Sequence, residues 1–206
     1  MKMSNKAASW WVAAIIMLAV ALDQALKFYI KLNYTLGEAH EIFPFFYLCF
    51  VENDGMAFGI EWFSKLLLTL FRIAAVALFA VYIRSLIKNK AKFGYIVFVS
   101  LITAGALGNI FDCMFYGLIF SESTPLEVAT FLPEGGGYAP IFYGKVVDML
   151  YFPLIHNSAG EVIFFRPVFN IADSCITVAV IVIFIFYLKE LNASLGSKNN
   201  KDKHDK

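Results

Sequence analysis

Apolar residues run in four long stretches along this chain, at about residues 10–29, 66–86, 93–111 and 169–188. Each approaches the roughly 20 residues that a helix needs to cross the hydrocarbon core of a bilayer. Backbone groups meet no water in that core, so such stretches close their hydrogen bonds within a helix. The expected fold is an all-α membrane protein with four transmembrane helices. Between the first two, residues 42–51 are rich in Phe and Tyr and lead into Asn53-Asp54-Gly55. Asn, Asp and Gly end strands in turns because they tolerate left-handed backbone angles. That predicts a small extracytoplasmic β-sheet in the first outer loop. The second outer loop, about 113–168, is long enough to need a structure or function of its own. Within it Gly135-Gly136-Gly137 marks a turn or a loop tip. The expected organisation is one integral-membrane domain over 1–191. A polar, Lys-rich tail over 192–206 is expected to be disordered and cytoplasmic.

Composition strengthens the membrane reading. The 206 residues are 60% hydrophobic and 16% charged, with a mean hydropathy of +0.68. Soluble domains are about 45–50% apolar and about 25% charged. A net charge of +1 lacks the basic excess of a nucleic-acid binder. The placement of charge then orients the helices. Lys2 and Lys6 precede the first. Arg84, Lys88, Lys90 and Lys92 lie between the second and third, and Lys189, Lys198, Lys201, Lys203 and Lys206 follow the fourth. Positive charge favours the cytoplasmic side, so both termini are expected there. The two remaining loops carry Glu38, Glu41, Glu52, Asp54 and Glu61, then Glu122, Glu127, Glu134 and Glu161, and face outward. Ala19-Val20-Ala21 imitates a signal-cleavage site. The apolar run is long, however, and Asp23 and Lys27 continue at helical spacing, so the segment reads as a retained helix.

Ionisable groups inside a span cost about 2.5–3.5 kcal/mol each on insertion scales. Those of this chain gather at the outer helix ends. Asp23 and Lys27 are four apart and share a face, as a salt bridge or as part of a site. In the third helix Gly105, Gly108 and Asp112 fall on one face with Asn109 beside them. Small residues there admit a neighbouring backbone. Asp148 lies in the apolar run Val146-Val147-Asp148-Met149. Asn170 and Asp173 share a face at the start of the fourth helix, where Asn170 can also act as an N-cap. Two carboxylates held close together share one proton. One can then activate water while the other donates to a substrate carbonyl. Motifs for zinc hydrolysis or a serine nucleophile are missing. Cys49, Cys113 and Cys175 form no C-x-x-C, and His40, His156 and His204 are far apart, so no metal or cofactor is expected. The same aspartates could serve a proton or cation relay. Against this, the cytoplasmic halves of the helices are almost free of polar groups (Arg72, the exception, lies near the outer half of the second helix), and no inverted repeat of interrupted helices is present. A purely structural subunit would account for the glycines and leave the outer aspartates unexplained.

The motifs taken together resemble one family. Asp23-Gln24 with Lys27, Asn53-Asp54-Gly55-Met56-Ala57-Phe58, the stretch 105–112, Val146-Val147-Asp148 and Phe169-Asn170-Ile171-Ala172-Asp173-Ser174 come in the order found in lipoprotein signal peptidases, also called signal peptidase II or prolipoprotein signal peptidase. The resemblance implies an aspartic endopeptidase in the bacterial cytoplasmic (inner) membrane. It would cut prolipoproteins just before a diacylglyceryl-modified cysteine, need no cofactor, act as a monomer among membrane lipids, and be inhibited by the cyclic peptide globomycin. It makes Asp148 and Asp173 the catalytic pair. Asp23, Asn53, Gly108, Asn109, Asp112 and Asn170 become the supporting polar shell. Three departures stand out. Cys113 occupies a position where the family commonly has arginine, so a donor to that shell is either missing or supplied from elsewhere, such as Arg166 or Lys145. Met56 stands where a small residue is usual. The stretch 116–143 exceeds the usual connection, which suggests a lid or a partner surface.

Overall fold

The first apolar stretch forms α1, Asn5–Asn33, opened by the Ser4 hydroxyl, which accepts the Ala7 N–H at 3.1 Å. Its 29 residues span about 43 Å, more than the roughly 30 Å of hydrocarbon in a bilayer. The helix therefore runs past the expected end at residue 29 and carries Lys31 into the loop region. The other long helices are α2, Glu61–Lys88, and α3, Phe93–Phe111. α3 continues through a π-helical turn, Asp112–Tyr116, into the short α4, Gly117–Ile119. The last pair are α5, Ile171–Phe186, and α6, Leu188–Lys201. The computed structural model describes residues 3–54, 61–156, 162–164 and 167–201.

Among the described residues three helices are long and apolar enough to cross a membrane, over 5–33, 65–88 and 93–119. A fourth span arises if α5 is counted with the start of α6, to which it is bent by 90°. The chain is helical through Lys201, whereas its polar composition suggested disorder from Asn192. Two contacts hold the start of α6. Glu190 pairs with Lys92, and the Ser194 hydroxyl meets that of Tyr82 at 2.5 Å.

The expected sheet is present but draws on both loops. β1, Ala39–Phe43, and β2, Phe46–Asn53, form an antiparallel hairpin. β3, Val146–Tyr151, comes from the second loop and pairs antiparallel with β2, setting Asp148 opposite Val51. The sequence hid β3 because Val146 to Met149 are all buried, so the strand has no alternation of apolar and polar residues. Two further short strands, β4, Ile155–His156, and β5, Val162–Phe164, pair with each other. β2 ends at Asn53 as expected, while Gly55, the last residue of the expected turn, and Met56 lie outside the described residues.

Two apolar clusters bracket the helices. One joins Val12, Ile83, Leu86, Tyr95, Ile96, Val99 and Ile183. The other joins Ile30, Tyr34, Phe50, Tyr116, Phe120, Val147 and Met149. Along α1, Asp23 and Lys27 fall between them.

The 116–143 segment has little regular structure yet is tied down at many points. Ser121 N–H bonds Thr130 O at 3.0 Å, Tyr138 N–H bonds Phe120 O at 3.0 Å, and Leu36 N–H bonds Thr124 O at 3.0 Å. Gly136 takes a φ of +85°, a left-handed angle suited to glycine. It closes a turn with its N–H on Pro133 O at 2.9 Å. The glycine triplet is thus an ordered turn.

Candidate active site

α1 contributes Asp23, Gln24 and Lys27 to a buried polar cluster. Lys27 is fully buried, and its ammonium lies 2.9 Å from Asp23 Oδ2 and 2.7 Å from Asp112 Oδ2. It also donates to Asn109 Oδ1 at 2.9 Å. The expected i,i+4 pair therefore forms, but as part of a larger network. Gln24 Nε2 donates to Asp112 Oδ1 at 2.8 Å and to Gly108 O at 3.1 Å, and its Oε1 accepts from the Tyr116 hydroxyl at 3.0 Å. Breaking a buried ion pair from one side leaves the other charge uncompensated, so α1 and α3 are held in register.

Gly105 and Gly108 let α5 approach α3. A Cβ on Gly108 would sit 2.6 Å from Asp23 Oδ2 and 3.2 Å from Ala172 Cβ, and one on Gly105 would collide with the Ala172 carbonyl. The close approach lets Asp23 Oδ1 accept the Ala172 N–H at 2.9 Å. That N–H belongs to the first turn of α5, where backbone donors have no partner within the helix. Asn170 caps the same helix, accepting the Asp173 N–H at 2.9 Å.

β3 is fastened to this frame on two sides. Asp112 Oδ2 accepts the Val147 N–H at 3.3 Å. Phe169 O accepts the Leu150 N–H at 2.7 Å, just before Asn170. Asp148 is thereby brought to the N-terminus of α5.

Asparagine amides connect the two carboxylates. Asn170 Nδ2 donates to Asp148 Oδ1 at 2.7 Å and to Asn109 Oδ1 at 3.1 Å. Asn109 Nδ2 in turn donates to Asp173 Oδ1 at 2.8 Å. Asn53, at the end of β2, donates to Asp148 Oδ2 at 3.2 Å. Asp148 is only 3% exposed. Burial, and next the charge of Asp173, push its carboxyl up to about 7 against the hydrogen bonds from Asn53 and Asn170. Asp173 is half-buried, so one side of the pair stays open.

The structure thus brings Asp23, Asn53, Gly108, Asn109, Asp112, Asp148, Asn170 and Asp173 into one continuous network. Two further members, Gln24 and Tyr116, were given no role by the sequence reading. Gln24 follows a buried acid directly, and an amide in that place inside a span was the available signal. Tyr116 gave no signal in one dimension, because only the π-turn aims its hydroxyl at Gln24. Arg72, set aside as an exception, donates from α2 to Cys113 Sγ at 3.3 Å. The sequence suggests two substitutes for the missing arginine. Arg166 lies outside the described residues. Lys145 pairs with Glu52 at 3.2 Å and lies 4.0 Å from Glu122. Among the described residues no three His, Cys, Asp or Glu side chains group as a metal would require.

A second buried cation stands beside the sheet. Lys31 pairs with Glu52, donates to the Ser123 hydroxyl at 2.8 Å, and lies 4.9 Å from the centre of the Tyr138 ring. Ser123 and Tyr138 both belong to the long 116–143 segment.

Residues 15–189 match the family described as Signal peptidase (SPase) II. A lipoprotein signal peptidase of Porphyromonas gingivalis is 43% identical over 198 residues, covering 91% of this chain and 87% of the relative. One of Amoebophilus asiaticus is 35% identical over 193 residues, covering 85% and 77%. A solved bacterial membrane enzyme, determined by the in meso method, superposes with a TM-score of 0.60 at 26% identity, covering 87% of this chain and 93% of the other.

Proposed function

The chain belongs to the signal peptidase II family, and from that premise we propose that it is an aspartic endopeptidase whose reacting groups are Asp148 and Asp173. It is a bacterial membrane protease of the lipoprotein-processing class. Its substrates are prolipoproteins, cut immediately before the diacylglyceryl-modified cysteine. The bent α5–α6 pair supplies the fourth span, and both termini are cytoplasmic. The network and the sheet then lie at the outer face of the inner membrane, where a lipidated substrate enters sideways from the outer leaflet.

The observation that carries the reading is the amide bridge, in which Asn170 binds Asp148 and Asn109, and Asn109 binds Asp173. It fixes two carboxyls beside one another without neutralising either. Asp148, raised to about 7, holds the shared proton near neutrality and donates it to the scissile carbonyl. Asp173, on the open side, takes a proton from the attacking water. Lys27 balances charge on Asp23 and Asp112, and among the described residues it makes no ion pair with Asp148 or Asp173. Asp23, Asn53, Gly108, Asn109, Asp112 and Asn170 form the shell that holds this geometry. The enzyme works as a monomer and is blocked by globomycin.

The test is cleavage by the purified protein in detergent, with the product's new N-terminus identified by mass spectrometry. A diacylglyceryl-modified prolipoprotein should yield a product that starts at the lipidated cysteine, and globomycin should stop its release. A product starting elsewhere, or none from folded protein, would contradict the reading.

A further inference from the structure

α2 presents Leu67, Leu70, Phe71 and Leu78 outward, an apolar stripe suited to lipid. Arg72 sits in the same span, half-buried, and turns inward to Cys113 Sγ at 3.3 Å. A thiol is a weak acceptor, while a guanidinium has five N–H donors. Among the described residues Arg72 has no ion pair and no second hydrogen bond. The acid beside Cys113 is already engaged, since Asp112 is held by Lys27, Gln24 and the Val147 N–H. A cation is costly at this depth, and one whose protein partner among the described residues is a single thiol has donors left for a further acceptor. Its position is specific. Cys113 directly follows Asp112, Asp112 binds the Val147 N–H, and Asp148 is the next residue.

We propose that Arg72 binds the ester carbonyl oxygens of the substrate's diacylglyceryl group, a role that rests on the peptidase reading above. The lipid-facing stripe of α2 offers the acyl chains an apolar path. The two ester carbonyls are the polar groups that travel with those chains. A planar guanidinium fork holds two acceptors side by side in a fixed geometry, which the thiol of Cys113 would not. Arg72 therefore selects for the lipid attached to the cysteine, while the aspartates act on the peptide bond.

The test uses binding rather than turnover, on full-length protein in detergent. The probes are two synthetic lipopeptides that begin at the modified cysteine. One carries the diacylglyceryl diester. The other carries a dialkylglyceryl diether that keeps the chains and lacks the carbonyls. Wild type should bind the diester about tenfold or more tightly than the diether, as loss of a charge-assisted hydrogen bond implies. Arg72→Gln should bind both with the weaker affinity. Equal binding of the two by wild type overturns the proposal without need of a variant, as does a preference that persists in folded Arg72→Gln. The two readings fail separately. Discrimination without cleavage would sink the peptidase reading and leave the ligand assigned to Arg72, and cleavage without discrimination would do the reverse.

Discussion

Asp148 is a carboxyl surrounded by apolar strand neighbours, with Val147 and Met149 fully buried on either side. Its acidity is set chiefly by burial and next by Asp173. The folded state binds a proton that the unfolded chain releases near 3.8. Its contribution to stability is therefore fully present below that pH and is lost as pH rises through about 7. Catalysis follows the same proton, so kcat/KM should fall above an apparent pKa near 7. A rate profile that stays flat well above neutrality would contradict a shared proton. Lys27 makes a different kind of contribution. Replacing it with Met strips Asp23, Asp112 and Asn109 of one common donor. Lys27→Met should cost about 3–5 kcal/mol of stability, read as a large drop in melting temperature in detergent. An unchanged melting temperature would mean that the ion cluster contributes little.

At the scale of elements, three chain segments far apart in sequence meet because each leaves backbone groups that another satisfies. The first turn of α5 needs acceptors and finds Asp23 and Asn170. β3 needs partners on both edges and finds β2, Phe169 O and Asp112. The long 116–143 segment behaves as a brace. It wraps Lys31 with Ser123 and Tyr138 and buries Phe120 against Phe28 and Tyr116. Deleting 121–137 should therefore lower the melting temperature while leaving the pH profile of the remaining activity unchanged. A lid would give the opposite pattern, with altered rate or substrate range at unchanged stability.

At the scale of the molecule, the three long spans were legible because a bilayer demands long apolar runs, and their order in the sequence carried over directly. α3 begins and ends where the hydropathy pattern placed it, at Phe93 and Phe111. The i,i+4 pair of Asp23 and Lys27, and the shared face of Gly105, Gly108 and Asp112, follow from helical periodicity alone. β3 was hidden because burial on both faces erases alternation, and α6 because its polar composition masks contacts made with Lys92 and Tyr82. The links from α1 to the π-turn after α3 and to α5 could not be read at all. They depend on side chains some 80 to 150 positions apart, such as Gln24 to Asp112 and Asp23 to Ala172. The polar residues could be singled out one by one, but their connection appears only in three dimensions.

The most direct measurement compares kcat/KM for wild type, Asp148→Asn, Asp173→Asn and the double variant, with melting temperatures to show that each is folded. Two carboxyls acting as one unit lose nearly everything with the first substitution, so the double variant should be little worse than either single one. Substantial activity in folded Asp148→Asn or Asp173→Asn, or losses that simply add in the double variant, would contradict the paired-aspartate mechanism.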